Sequence, residues 1–155
     1  MQQQTVRAYR IKNEAETRAF ALALADKLQA GDVLALIGEL GTGKTALTRY
    51  IGEGLGIHQR ISSPTFTIVK EYTDGRLPLY HFDVYRIGDV EEMDEIGYED
   101  YFYGEGVCLI EWADLIREIL PEQMCRVTIE KDLEKGFDYR KITLEGFKGI
   151  EEQEA

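Results

Sequence analysis

Apolar positions along the chain follow two rhythms, and the switches between them outline the fold. Between Glu14 and Gln29 the residues Phe20, Leu24 and Leu28 recur at helical spacing, which predicts a helix with one apolar face. Asn13 ahead of it, with Glu16 following at capping-box spacing, marks the start, and Gly31 is the expected stop. The next run, Asp32 to Ile37 (DVLALI), is almost continuously apolar, the pattern of a strand buried on both faces as in a parallel sheet. A Gly-rich stretch, Gly38 to Gly43, then leads into a second helix from Lys44 to Leu55, ended by Gly56.

Elsewhere the rhythm is that of strands. Residues 5–11 (TVRAYRI) predict a first strand, and Phe66 to Tyr72 (FTIVKEY) alternates like another. Asp74-Gly75 is a hairpin signal, with Leu77 to Asp83 as the returning strand. Val107 to Glu111 (VCLIE) reads as a second buried strand, and Cys125 to Ile129 and Lys141 to Leu144 as a closing pair. Short helices are expected over Asp89 to Ile96, Tyr98 to Tyr103 and Asp114 to Leu120, the last stopped by Pro121. Together these elements predict an α/β domain: a mixed, mostly parallel sheet flanked by helices. There are no internal repeats and no linker, so residues 1–150 are expected to form one domain and Glu151 to Ala155 an acidic, frayed tail.

Composition narrows the function more than the fold. With 18 Lys+Arg against 29 Asp+Glu the net charge is −11, which makes the chain a poor stand-alone nucleic-acid binder. Any service to a nucleic acid therefore calls for a partner that does the holding. The two cysteines, Cys108 and Cys125, form no C-x-x-C pair, which suits a reduced, cytoplasmic setting. Met1 to Arg10 lacks the apolar core of a signal peptide, and no stretch is long and apolar enough to span a membrane.

The chemistry concentrates in one segment. Gly38-Glu39-Leu40-Gly41-Thr42-Gly43-Lys44-Thr45 matches G-x-x-x-x-G-K-[ST], between a buried strand and a helix. The glycines allow successive backbone N–H groups to point inward at phosphate oxygens, and the helix N-terminus behind them favours an anion. Lys44 is placed to reach the β- and γ-phosphates of a nucleotide, and the Thr45 hydroxyl to ligate Mg²⁺. P-loop enzymes set a further acid at a neighbouring strand end. Glu111 and Asp83 both end strands, and spacing does not separate their roles.

Other chemistries find less support. No N-K-x-D follows the P-loop, which argues against guanine specificity. His58, His81, Cys108 and Cys125 lack the ligand-pair spacing of a zinc site, and His81 is expected to be a strand histidine packed beside Asp83. Between Ile87 and Ile116 lie ten acids and no Lys or Arg, interleaved with Tyr98, Tyr101, Phe102 and Tyr103. This segment is either a solvated face whose aromatics turn into the core, or a docking surface for a basic partner.

Three more segments, Ser63-Pro64-Thr65-Phe66, His81-Phe82-Asp83-Val84-Tyr85-Arg86 and Glu111-Trp112, join GELGTGKT in an order and at separations that resemble the TsaE family, formerly YjeE. The resemblance spans nearly the whole chain. It implies a P-loop ATPase of bacterial tRNA modification that uses ATP and Mg²⁺ and works with TsaD and TsaB. That pair transfers a threonylcarbamoyl group to the adenosine beside the anticodon, so tRNA is met indirectly, through the complex. TsaE is thought to reset the complex between turnovers. Carried over by position, the resemblance implies that Gly38 to Thr45 hold the phosphates and that Glu111 is the metal-site carboxylate, with Asp83 beside it. It also implies that Thr65 lies in a switch-like loop near the γ-phosphate and Trp112 next to the nucleotide. Glu14 and the turn at Lys135-Gly136 are similar to the family's adenine-side contacts. The alternative reading of Trp112 is a core tryptophan, and Arg86 reads as a γ-phosphate contact or an ion-pair partner.

Two other function classes are open on the residues alone. One is a small-molecule kinase, with Arg60, Lys70, Arg76 or Arg86 in a lid over an acceptor. The other is a non-enzymatic nucleotide switch.

Overall fold

A computed structural model describes residues 6–38, 44–62, 64 and 68–146. The phosphate-loop residues Glu39 to Gly43, together with Ser63, Thr65, Phe66 and the acidic tail, lie outside the described residues.

The strands are β1 (Val6–Ile11), β2 (Val33–Ile37), β3 (Val69–Tyr72), β4 (Leu79–Asp83), β5 (Val107–Glu111), β6 (Cys125–Lys131) and β7 (Arg140–Glu145). They form one seven-stranded sheet in the order β1-β7-β6-β2-β5-β4-β3. The expected mixed sheet is thus present, and its parallel part is the centre. Strand β2 pairs in parallel with β6 and β5, and β5 with β4, while the outer pairings β1·β7, β6·β7 and β3·β4 are antiparallel. The continuous apolar runs of β2 and β5 fall where both faces of the sheet are covered, as such runs require.

Helices α1 (Glu14–Lys27) and α2 (Lys44–Gly54) cover one face. There Phe20, Leu24, Leu28, Leu47 and Ile51 bury against Leu34, Leu36 and Leu109. Helices α3 (Glu91–Glu95) and α4 (Tyr98–Phe102), with the 3-10 helix Ala113–Ile119, cover the other, packing Met93, Phe102 and Ile116 on Ala35, Phe82 and Ile110. Strand alternation assigns each side chain to a face, so His81, Asp83 and Glu111 share the α1/α2 side with Leu79 and Leu109.

Asn13 caps α1 as expected: its Oδ1 accepts from the Glu16 amide at 2.9 Å, while Glu16 Oε1 accepts from the Lys12 amide at 2.8 Å. The helix stops earlier than Gln29, however. Leu28 is already extended (φ −71°, ψ 144°) and turns its side chain into the core. The Asp32 carboxylate accepts from the Gln29 amide at 2.8 Å, so the chain is turned before Gly31 is reached. Between α3 and α4, Gly97 takes a left-handed φ of 70°, which separates two helical turns that sequence pattern alone sets almost end to end.

The β3–β4 hairpin also departs from expectation. Register pairs Tyr72 with Leu79, so the connection is longer than a tight Asp-Gly turn. Its tip is docked on the helices instead. Asp74 Oδ2 accepts from the His58 amide, and the Arg76 amide donates to Leu55 O at 2.8 Å. A Cβ on Gly75 would sit 2.5 Å from Leu55 O, so the close approach requires glycine. The Arg76 guanidinium donates to the carbonyls of Ala25 (2.6 Å) and Leu28 (3.1 Å) at the end of α1. Ala25 O also accepts from the Leu28 amide at 3.2 Å, and a cation at this carboxyl end of the helix is favourable. Arg76→Met is therefore expected to destabilise the protein by about 1.5 kcal/mol and lower its Tm by roughly 3–6 °C. Thermal unfolding followed by circular dichroism measures this, and an unchanged Tm would remove Arg76 from the helix cap.

Candidate functional site

The site forms at the carboxyl ends of the central parallel strands, where open α/β sheets present ligand crevices. Strand β2 delivers Gly38 there, β4 delivers Asp83, and β5 delivers Glu111 followed by Trp112. Helix α2 begins at Lys44 and points its N-terminus at the same edge. The phosphate-loop pattern thus has the strand-then-helix setting its chemistry needs, although Glu39, Leu40, Gly41, Thr42 and Gly43 are themselves outside the described residues.

Lys44 is 5% exposed. Its Nζ donates to Gly38 O at 2.6 Å and lies 3.6 Å from the centre of the Trp112 ring. Burial pushes the Lys44 ammonium below its ordinary pKa, and the carboxylates of Glu111, Asp83 and Asp114 act in the opposite sense. A buried lysine facing carboxylates and a strand-end carbonyl is poised for an anion, because a phosphate beside Nζ would offset the desolvation. Thr45 follows it at the start of α2 and is half-buried.

Asp83 and Glu111 are register partners across the parallel β4·β5 pair, so the two acids that spacing could not connect stand side by side. Their environments differ. Asp83 is half-buried, and its Oδ1 accepts from the Tyr85 amide at 3.0 Å. Glu111 is buried and its Oε2 lies 2.6 Å from Nε2 of His81. His81 shares a strand face with Asp83, as expected, and its hydrogen-bonding contact is with Glu111 of the neighbouring strand. The imidazole is fully buried, and its Nδ1 has no hydrogen-bond partner among the described residues. A hydrogen on Nε2 serves the Glu111 carboxylate, whereas a bare Nε2 would turn a lone pair on Oε2.

Trp112 adopts a left-handed backbone (φ 64°), rare for a bulky side chain. That turn lays the indole under Lys44 and against the Tyr85 ring, 4.7 Å away. Trp112 is half-buried on the edge of one core cluster, and its ring faces the Lys44 ammonium.

A cleft opens beside α2. Glu14, which accepts from the Tyr50 hydroxyl at 2.7 Å, lines it with Ala46, Asp138 and Arg140. Gly136 sits in the turn that leads to Asp138, its amide donating to Leu133 O. Asp138, in the turn before β7, and Arg140, the first residue of β7, carry no periodic or motif signal in the sequence.

The oxygen-rich donor set fits Mg²⁺. Among the described residues no three His, Cys, Asp or Glu side chains gather into a closed cage. One or two carboxylates and a threonine hydroxyl beside a phosphate site are what Mg²⁺ ordinarily uses, since it keeps much of its water. Zinc has no cluster among them, and both cysteines are buried thiols that burial pushes up to about 12, which makes them poor ligands and nucleophiles.

The acidic segment mostly turns its rings inward. Phe102 is buried, Tyr98 and Tyr101 pack on the same core, and the Tyr101 hydroxyl donates to Glu71 at 2.9 Å. Only Tyr103 among those four is strongly exposed, at 66%. Of the basic residues considered for a kinase lid, Arg76 serves the end of α1 and Lys70 donates to Ser62 Oγ at 3.3 Å, while Arg60 and Arg86 are exposed. Among the described residues no helix is long and apolar enough to cross a membrane.

Comparisons with known proteins agree with this architecture. The family model described as "Threonylcarbamoyl adenosine biosynthesis protein TsaE" matches residues 11–142. The chain is 50% identical over 135 residues to the tRNA threonylcarbamoyladenosine biosynthesis protein TsaE of Bacillus subtilis, covering 87% of this chain and 82% of that protein. It is 40% identical over 114 residues to the Treponema pallidum protein of the same name, covering 74% and 84%. A crystal structure of Bacillus subtilis YdiB superposes with a TM-score of 0.75 at 41% identity, over 99% of this chain and 93% of that one. With the motifs at the right strand ends and a match over most of its length, the chain belongs to the TsaE family.

Proposed function

We propose that the protein is a Mg²⁺-dependent ATPase that serves tRNA threonylcarbamoyladenosine biosynthesis, acting with TsaD and TsaB to reset their complex between turnovers. The observation that carries this reading is the convergence of Lys44, Asp83 and Glu111 at one sheet edge, in a family named for that pathway. Phosphoryl transfer asks for positioning and charge stabilisation more than for covalent chemistry, and these residues supply both. Lys44 and the loop amides, Gly38 through Thr45, hold the β- and γ-phosphates and stabilise charge on the transferring group. Thr45, Glu111 and Asp83 hold the metal, directly or through water; when bound, Mg²⁺ neutralises charge on the β- and γ-oxygens. Asp83 or Glu111 orients the water that attacks the γ-phosphorus as ADP leaves. Thr65 serves near the γ-phosphate, Trp112 walls the nucleotide, and Glu14 and Gly136 border the adenine.

One small domain lacks a finishing contact from outside, so slow intrinsic turnover is expected. The protein works in the cytoplasm, and the −11 charge suits a partner that carries the tRNA. The test is threonylcarbamoylation of tRNA by TsaD and TsaB with and without this chain and ATP. Repeated turnovers only when both are present are expected. A single-turnover burst that the chain fails to extend would overturn the resetting role. Phosphate release without a small-molecule acceptor separates the ATPase from a kinase, and the absence of any release leaves a nucleotide switch.

A further inference from the structure

His81 has no part in the chemistry assigned so far, yet it is one of the few polar side chains in the core. It stands on β4 between Leu79 and Asp83, beside Leu109 of β5, where an apolar residue would fill the space without a desolvation cost. Its polar contact among the described residues is Oε2 of Glu111, at 2.6 Å, and its other ring nitrogen is unpartnered. A buried imidazole with one polar contact places its whole hydrogen-bonding capacity on that carboxylate.

We propose that His81 is a positioning residue for the metal-site carboxylate: its Nε2–H holds Oε2 of Glu111 and leaves Oε1 to serve the metal or a metal-bound water. This inference rests on the proposed Mg²⁺-dependent reading of the site. A carboxylate on a strand end has rotational freedom about its last torsion, and Mg²⁺ tolerates little departure from octahedral geometry. Hydrogen bonds that orient ligating carboxylates are worth about 10–100-fold in metal affinity or activity. The parallel register sets the device, because His81 stands one step along the same face from Asp83, the partner of Glu111. His81 therefore acts through Glu111.

Three variants test it: His81→Leu removes the donor at similar volume, His81→Gln returns an N–H near the position of Nε2, and His81→Asn draws the amide back out of reach. The readout is equilibrium binding of a non-hydrolysable ATP analogue across a Mg²⁺ titration, with Mg²⁺-free ADP binding as control. His81→Leu should raise the Mg²⁺ half-saturation about 10–100-fold and leave Mg²⁺-free ADP binding within about twofold, with His81→Gln recovering most of the loss. Histidine ¹⁵N spectra of the parent should show a proton on Nε2 of His81. If His81→Leu does not fold, the Gln and Asn variants carry the same contrast. A folded Leu or Asn variant with the parent's Mg²⁺ dependence would overturn the inference and leave the ATPase reading standing. A parent whose nucleotide binding ignores Mg²⁺ would overturn the reading itself.

Discussion

Lys44→Ala is expected to slow ATP hydrolysis by about 10²–10³-fold, the loss typical of one preorganised charge-stabilising donor. The structure explains why the effect should be confined to function. Nζ is buried against Gly38 O and the Trp112 face, and burial holds its pKa below the ordinary lysine value. The charged form is therefore held at some cost until an anion arrives. Removing it deletes one hydrogen bond and a cation–π contact but also a buried charge, so the two changes oppose each other in stability. Steady-state phosphate release and a thermal melt check both halves. Parental hydrolysis by a folded Lys44→Ala protein would mean that the loop between β2 and α2 does not grip the transferring phosphate.

Glu111→Gln should cut Mg²⁺-dependent hydrolysis by about 10²-fold or more while leaving Mg²⁺-free nucleotide binding almost unchanged. Glutamine keeps the shape of the side chain, and its carbonyl can still accept from His81 Nε2, so the buried contact at 2.6 Å survives the change. What disappears is the negative charge offered to the metal. Alanine at this position would also orphan the imidazole and so confound metal loss with a packing defect. A Mg²⁺ titration of activity beside a Mg²⁺-free ADP titration separates the two. Equal Mg²⁺ dependence in parent and Glu111→Gln would transfer the metal role to Asp83, its register partner on β4.

The comparison between Asp83 and Glu111 shows what kind of information a sequence carries. Both were legible as strand-end acids, since alternation and apolar runs are local signals. Their adjacency was not, because the two strands are separated by α3 and α4 in the chain and meet only when β4 and β5 pair in parallel. The same limit hid the histidine's partner. Period-two alternation placed His81 on the face of Asp83, and only the register of the neighbouring strand brought Glu111 within 2.6 Å of it.

Helix ends and turns divide in the same way. The start of α1 was readable, because Asn13 and Glu16 satisfy amides a few residues away. Its end was not, because Leu28 leaves the helix to fill the core and Arg76, distant in sequence, donates to the carbonyls of Ala25 and Leu28. The hairpin at Asp74-Gly75 was recognised, but its length was set by docking against Leu55, which no local pattern encodes.

What the amino-acid order alone established was the α/β class, the buried central strands, the phosphate-loop pattern and the family resemblance. All of these rest on residues close together in the chain or on spacing within one element. The partnership of Glu111 with His81 and Asp83, the rest position of Lys44 on Trp112, and the cleft that joins Glu14 to Asp138 and Arg140 came from three-dimensional packing. The reason is physical. Local geometry follows from torsional preference and hydrophobic period, whereas contacts between distant segments follow from which strands pair, and in what register, once the whole core closes.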